Sequence, residues 1–489
     1  MKRCPACDRT YSDEEELNFC LDDGALLLKV EAGSPNTQDT LRIPAGRQTD
    51  QGRTEVLYQG APPTVPPPLY GPQTPYTQQP GRYAQAAMGA PIRRSSSSPW
   101  PWIIAVSVVL LLSFAVIAGL VAYRLLRTPT IIVAKNGGGE YTTITEAIKN
   151  AAPGTRILVR PGFYNEGFAI DKQLEIVGDG PLRDIIIESK DTNCIRMQTE
   201  RATVRGLTLR ARTAPREFFA VDIPRGQLIM EDCDITSDSW ACVAIHGTMA
   251  DPIIRRTRLH DSKAGGIFAY DHGKGTIEDC DIYGNTNAAV EIKDGSNTLV
   301  RRSKLYDNKA SGVYIWKNSK GTIEDCDIYG NDYAGITIGE YSSPVIRKNK
   351  IHDGKAGGIF VYDHGKGTIE DCEITVTVYA GIEIKDDSDP TVRRCKISES
   401  KVSGIYVWRN SKGTIEDCEL FKNTYAGIAI SAGGDPQIRR CRINHNGYSA
   451  IWAYNNGAGT VEDSDLTGND RGPWLIETGS SVSRSGNTE

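Results

Sequence analysis

The chain is 489 residues long, with 49 glycines, 25 prolines and a formal net charge of -5, a composition that fits several segments in series and not one compact domain. No segment is strongly basic, so nucleic acid is excluded as a default partner. The small net charge hides acidic and basic runs that alternate along the chain.

Residues 1–30 read as a small zinc-ribbon-like module. Cys4-Pro5-Ala6-Cys7 is followed, after twelve residues, by Cys20-Leu21-Asp22-Asp23. Thiolates of Cys4, Cys7 and Cys20 with one carboxylate oxygen of Asp23 can hold tetrahedral zinc, and so short a segment could hardly fold otherwise. Over residues 3–28 it resembles the minimal zinc-ribbon segments at the N-termini of many bacterial membrane proteins. Asp23 in place of a fourth cysteine departs from that pattern and leaves a metal-free ribbon as the alternative. Redox activity of the Cys-x-x-Cys is the weaker reading, since no βαβ pattern surrounds it.

From 31 to 99 the sequence turns to proline, glutamine, glycine, tyrosine and serine, which cannot bury a core and reads as a disordered linker. Gln38-Asp39-Thr40-Leu41 matches a pectin methylesterase signature, but its place in the linker strips it of meaning. Residues 100–127 read as a single transmembrane helix. Trp102 to Tyr123 are 22 nearly uninterrupted apolar residues without a charge, ~33 Å of helix against a hydrocarbon core of ~30 Å, with Trp100, Trp102 and Tyr123 at the interfaces. The hundred residues before it exclude a cleaved signal peptide. Arg93 and Arg94 nearly balance Arg124 and Arg127, so flanking charge leaves the orientation open. Thiolate zinc ligands favour a reducing cytoplasm for the N-terminus, which predicts a single-pass protein of a bacterial inner membrane with the remainder outside the cytoplasm.

Residues 128–480 are expected to be all-β. The segment opens with a short helix near 143–151, where Ile144, Ala147, Ile148 and Ala151 make an apolar stripe and Thr143 with Glu146 a capping box. That helix would plug an open sheet edge. Irregular strands follow at 156–159, 168–170, 174–177, 185–187 and 194–197, with regular repeats from near Ala202. The hexad Gly275-Thr276-Ile277-Glu278-Asp279-Cys280 returns at Gly321, Gly367, Gly413 and Gly459, a period of 46, and a basic sister hexad such as 298–303 lies halfway, so the unit is 23 residues. Three short β-branched runs per unit predict a three-stranded coil of a parallel β-solenoid, with Gly284-Asn285, Gly330-Asn331 and Asn423 supplying turn backbone. Residues 481–489 are expected to be a tail.

Stacked coils turn the repeat into columns about 4.8 Å apart. Cys233, Thr257, Cys280, Ser303, Cys326, Asn349, Cys372, Cys395, Cys418, Cys441 and Ser464 form an inward polar ladder, structural and not catalytic. Glu278-Asp279, Arg301-Arg302, Glu324-Asp325 and their successors alternate in sign, which prevents like charges from meeting. A third column points outward: Phe268 and Tyr270, Tyr314 and Trp316, Phe360 and Tyr362, Tyr406 and Trp408, Trp452 and Tyr454, in every second coil, with Glu291 and Lys293 or Glu383 and Lys385 between. So long an exposed aromatic strip, flanked by Lys293 and Lys385, reads as a binding face. The competing reading is that the rings only cover the sheet.

The opening GGGEYTTITEAIKNAAPGTRILVRPGFYNEGFAIDKQLEIVGDG and the repeated AGI(x)I...GTIEDC(x)I coils resemble the pectate-lyase-like superfamily of right-handed parallel β-helices, most of all its carbohydrate-binding and sugar-hydrolase type repeat, over residues 131–480. The resemblance implies a right-handed solenoid. It leaves function open among lyases, hydrolases, epimerases, esterases and binding modules. The Gly-His-Gly and Arg-Ile-Lys of related hydrolases and the Asp-Pro-His-Asp of epimerases are missing. The nearest catalytic candidates are Asp271-His272 and Asp363-His364, with His260-Asp261 and His352-Asp353. Each set is duplicated at 92 residues, about 19 Å in a stack, too far for one acid and base pair. The favoured expectation is a membrane-anchored β-helix that engages a glycan or other extended polymer. A protein-binding scaffold and a polysaccharide lyase, hydrolase or epimerase are the alternatives.

Overall fold

The computed structural model describes residues 128–212 and 218–489, together with 2–3, 10–11, 28–29, Val108, Leu112 and Ser113. The zinc ligands Cys4, Cys7, Cys20 and Asp23, the linker, and most of the span 102–123 lie outside the described residues. Among the described residues no helix is long and apolar enough to cross a membrane. Near the N-terminus, Lys2–Arg3 pairs antiparallel with both Thr10–Tyr11 and Leu28–Lys29.

From Thr130 onward the chain winds as a parallel β-solenoid with three strands in each regular coil. Lys274–Glu278, Asp281–Tyr283 and Val290–Ile292 make one such coil, and their equivalents stack into a first sheet of 16 strands, a second of 13 and a third of 14. Strand alternation fixes which side chains enter the core. Ile277, Ile282, Val290 and Ile292 point inward and are fully buried, and isoleucine or valine recurs at these places along the axis. Thr276, Asp281, Tyr283 and Glu291 take the outward positions between them. β-Branched residues suit both demands, since they favour extended backbone and pack well on their own kind.

The coil length becomes regular later than the motifs near Ala202 predict. Register pairs Ile131–Ile157, Ile157–Ile176, Ile176–Val204, Val204–Met230 and Met230–Ile254 mark coils of 26, 19, 28, 26 and 24 residues. From Ile254–Ile277 the spacing is 23. The helix Ile144–Asn150 sits at the start with Ile144, Ala147 and Ile148 buried, and the Thr143 hydroxyl accepts the Glu146 N–H. Glu166 adds a second cap, accepting the Ile144 and Thr145 N–H groups at 2.9 Å. At the other end the expected tail 481–489 is instead a further coil. Ser481–Ser485 pairs in register with Ala458–Glu462, and the Asn487 side chain accepts the Ser464 N–H at 3.0 Å. Its serines hid it, because polar residues on the last edge strand give no apolar alternation to read.

The columns behave as stacking requires. Arg302 makes a two-point contact with Asp279 at 2.9 Å, and Arg394 with Asp371 and Arg440 with Asp417 repeat it at 2.7–3.0 Å. Each exposed pair adds little on its own; their main effect is to remove the repulsion that in-register like charges would create. The cysteine column is buried at the corner between first and second sheets, where the Cys280 N–H donates to the Ser303 hydroxyl and the Cys326 N–H to the Asn349 side chain. The turn asparagines need a correction. Left-handed backbone falls one residue earlier, at Gly284, Asp307, Gly330 and Lys422, while Asn285, Asn308, Asn331 and Asn423 point inward. There Asn285 donates to Asn308 and Asn308 to Asn331 at 2.9 Å, and Asn331 to the Leu305 carbonyl at 3.0 Å.

A further column occupies the second sheet. His260, Tyr283, Tyr306, Tyr329 and His352 stack face to face over five coils at 4.9–5.1 Å. Each terminal histidine is held by two carboxylates, His260 by Asp234 and Asp261 and His352 by Asp327 and Asp353.

One corner residue is out of keeping with its column. Val376 adopts φ 53° where other coils use glycine or a straight-chain or polar residue, and a β-branched side chain is poorly suited to that backbone. Val376→Asn is expected to stabilise the chain by about 1 kcal/mol, read as a higher urea midpoint; an unchanged or lower midpoint would mean that the valine is not strained.

Candidate functional site

The third sheet differs from the others in what surrounds its outer face. Phe268, Tyr270, Tyr314, Trp316, Phe360, Tyr362, Tyr406, Trp408, Trp452 and Tyr454 all take outward positions, but none is fully open, and all except Phe360 and Tyr362 pair ring to ring along their strand. Tyr314 stacks on Trp316 and Tyr406 on Trp408, both at 5.4 Å and 4°. The Trp316 and Trp408 indole N–H groups donate to Glu291 and Glu383 at 3.0 Å. Lys293 lies over Phe268 and Trp316, and Lys385 over Trp408, at 4.8, 5.2 and 5.5 Å from the ring centres. Lys317 and Arg409 add further cation–ring contacts at 4.4 and 4.3 Å, so the indoles are sheathed by cations.

Two members of the strip are packing residues. Phe360 is 5% exposed, with Tyr333 edge-on at 5.2 Å and Tyr379 beside it, and Trp408 is 6% exposed. The sequence pattern gave their direction correctly but not their cover, which for Phe360 comes from Tyr333 and Tyr379 in the turns of the two neighbouring coils and for Trp408 from Tyr406, Lys385 and Arg409. The open strip is thereby replaced by a more local feature.

That feature is a cleft of about 420 Å³ lined by Asn287, Glu291, Ser311, Tyr314, Tyr333, Thr337 and Tyr362, with Ala288 and Ala310. Tyr314 and Tyr362 bring their hydroxyls to 2.6 Å across an intervening coil. This bridge depends on small residues beneath it: a Cβ on Gly339 would sit 2.5 Å from Tyr362 Cζ. The Ser311 and Thr337 hydroxyls are bonded at 2.7 Å. Burial pushes the Glu291 carboxyl above its ordinary range, outweighing the Trp316 hydrogen bond that opposes it. Burial likewise raises the Tyr314 and Tyr362 phenols, which remain protonated donors at neutral pH. Ring faces, hydroxyls, an amide and a hard-to-ionise carboxyl thus converge in one place.

The catalytic candidates from sequence occupy a different place. Asp271-His272 and Asp363-His364 are consecutive left-handed residues, φ 51° and 62° and φ 47° and 59°, at the corner leaving the third sheet. The His272 and His364 N–H groups donate to the carbonyls of Asp294 and Asp386 in the next coil, at 3.0 and 2.9 Å. The His272 ring covers Gly295 and the His364 ring stacks on Tyr341 at 4.6 Å. Four coils separate the two sites, and they do not converge.

A cluster that the sequence reading missed lies at the N-terminal end of the same sheet. His246 Nε2 is 2.8 Å from Asp222 Oδ1, Arg196 approaches the other oxygen at 3.4 Å, and the imidazole stacks on Tyr270 at 4.7 Å and 8°. Burial raises the Tyr270 phenol, with the Asp222 charge adding to it. These residues belong to the irregular coils, where the 23-residue register does not apply, so no column could align them. Of the cluster, only Tyr270 has counterparts in later repeats; the one signal of Asp222, His246 and Arg196 was negative, the lack of any. Among the described residues, no group of three or more histidines, cysteines or acids is placed to hold a metal ion.

No curated protein matches the sequence significantly. Among solved structures, the chain is similar to the A-module of a mannuronan C-5 epimerase from Azotobacter vinelandii, at 13% identity and TM-score 0.46 over 71% of this chain and 93% of that one. It is also similar to the catalytic unit of an alpha-1,3-glucanase from Streptomyces thermodiastaticus, at 12% identity and TM-score 0.44 over 74% and 69%. A pectin methylesterase from Erwinia chrysanthemi aligns at 12% identity and TM-score 0.32 over 44% and 80%. Residues 241–382 and 344–488 match the family described as right handed beta helix region. These two matches span just over half of the sequence, and the chain belongs to the right-handed β-helix family.

Proposed function

We propose that this β-helix engages an extended glycan along the outer face of its third sheet, seated in the cleft at Glu291, Tyr314 and Tyr362. The observation that carries the reading is the cleft itself. Sugars present apolar C–H faces and hydroxyl edges, and a site with ring walls and a few convergent hydrogen-bonding groups complements both. The phenols are uncharged at neutral pH, and burial shifts the Glu291 carboxyl toward its neutral form relative to an exposed carboxyl. In the fuller proposal, Cys4, Cys7, Cys20 and Asp23 hold a zinc ion, a donor set of three thiolates and one carboxylate that suits that metal. Residues 100–127 anchor the chain in a bacterial inner membrane with the β-helix outside the cytoplasm.

A second reading, that the chain acts on the glycan chemically, is favoured by Asp222, His246 and Tyr270. An imidazole oriented by a carboxylate and stacked on a phenol can relay a proton, and the cluster lies on the same sheet as the cleft.

A glycan array probed with the full chain, uronate polymers included, tests both readings. Tyr314→Ala and Thr337→Trp, which remove one wall and fill the cleft, are each expected to weaken a detected glycan about tenfold or more, at least 1.4 kcal/mol. Tyr306→Phe on the second sheet should leave it unchanged. A glycan bound equally by all three variants removes the cleft from the function. If the chain turns over its glycan, His246→Gln should abolish product formation while binding persists.

Glu291 gives a pH test. Its folded-state pKa lies above the ordinary 4.5, so the stability it permits is fully present below the unfolded value and is lost as pH rises through the folded one. Glu291→Gln keeps an acceptor for Trp316 and removes the ionisation. The variant should match the parent in thermal midpoint near pH 4 and exceed it at pH 8. A difference that does not change with pH would show that burial of the charge is not what destabilises the parent.

A further inference from the structure

The corner between the first and second sheets carries one inward side chain per coil, and its composition changes along the solenoid. Cys233, Cys280 and Cys326 are each followed one coil later by Thr257, Ser303 or Asn349, whose oxygen accepts the cysteine N–H at 3.0–3.4 Å. From Cys372 the interruption ends. Cys372, Cys395, Cys418 and Cys441 occupy four successive coils, all free and buried. All four thiols donate to backbone carbonyls at the same corner, at 3.3–3.8 Å. The Cys395 N–H donates to Cys418 Sγ at 3.5 Å, 23 residues away.

In-register neighbours in such a stack have Cα atoms about 4.8 Å apart, within the roughly 4.4–6.8 Å that a disulfide spans. Thiols two coils apart, at about 9.6 Å, cannot be joined. The early cysteines are therefore kept from pairing by the residue between them, whereas the last four have a partner directly above or below.

We infer that this file is a modification site, two latent disulfides, Cys372–Cys395 and Cys418–Cys441, that close between adjacent coils when a small disulfide oxidant reaches them. One thiolate attacks the oxidant, forming a mixed disulfide and releasing the first reduced thiol. The neighbouring thiolate then displaces the second. Two electrons pass from each cysteine pair to one oxidant molecule, and the two thiol protons end on the two released thiols. Each link closes one circuit of the solenoid, and together they staple the four coils that carry Glu383 to Trp452 on the third sheet. Burial opposes ionisation throughout this column, pushing Cys280 and Cys326 up to about 12. In the file the neighbouring thiol lowers Cys372 and Cys418 while Cys395 and Cys441 are raised, so closing either pair is expected to be faster in alkali. The linked form belongs to an oxidising compartment, but the chemistry can be tested without knowing where the chain resides.

Reduced full chain is incubated with cystamine at alkaline pH, quenched with acid, alkylated and mapped by tryptic mass spectrometry. The expected result is a loss of about 4 Da across the peptides holding the four cysteines, two per link, with Cys372 joined to Cys395 and Cys418 to Cys441, while Cys280 and Cys326 stay alkylated or capped. Cys395→Ser places there the residue that Ser303 and Ser464 already supply in the same column, so the variant should fold, and it should keep only the Cys418–Cys441 link. Four alkylated cysteines, four stable cystamine adducts, or a Cys395–Cys418 link with both outer thiols free would each overturn the assignment.

Discussion

Every side chain in the regular part of this protein must tolerate its own kind, or its opposite, about 4.8 Å away along the axis. That constraint explains the sequence better than any propensity does. Isoleucine on isoleucine satisfies it by packing, asparagine on asparagine by donating one amide to the next, and tyrosine on tyrosine by stacking flat. Charge is the case that cannot be repeated, and there the chain doubles its period. Glu278 meets Arg301 above and Arg255 below, with oxygen–nitrogen distances of 2.6 and 4.0 Å. Arginine serves better than lysine because its planar fork can hold a carboxylate at two points across one coil step.

The same constraint decides where a ligand site can form. The first corner of each coil is two residues long, as in Asp279-Cys280, and leaves nothing standing above the sheets. The turn that leads into the third sheet, residues 284–289 and their equivalents, is longer and brings in Tyr333, Tyr379, Tyr425 and Tyr448. These rings rise beside the outer face and give it walls. A flat sheet therefore becomes a cleft only where this turn meets residues small enough to leave a gap, as at Thr337 and Gly339.

What could be read in the sequence follows the same line. Where the coil length is 23, direction and neighbours were legible, and the charge pairs, the cysteine column and the outward aromatics stand where the repeat places them. Cover was not legible, because Tyr333 and Tyr379 come from a turn whose path no periodicity describes, and they bury Phe360. The ring stack on the second sheet was overlooked because His260 and His352 end it, and mixing histidine with tyrosine hides a column that geometry makes continuous. The Asp222–His246 contact was beyond reach, since it spans coils of unequal length. The last coil was lost for a fourth reason, its strand 481–485 carrying Val482 as its one apolar residue.

The four-coil duplication carries the last step. Glu291, Tyr314 and Tyr362 recur as Glu383, Tyr406 and Tyr454, and the Tyr406 and Tyr454 hydroxyls again meet, at 3.0 Å. Their surroundings have diverged. Tyr379 stands where the first copy has Asn287 and packs beside Phe360, and Tyr425, the counterpart of the enclosed Tyr333, is 46% exposed. Lys385 also pairs with Glu383 at 3.4 Å, whereas in the first copy Lys293 pairs with Asp294 at 3.7 Å and burial raises the Glu291 carboxyl. Stacking requires only that the two constellations share a register; it says nothing about the turn residues that frame them. One copy is thus free to keep a walled cleft while the other becomes a more open surface with an ion pair of its own.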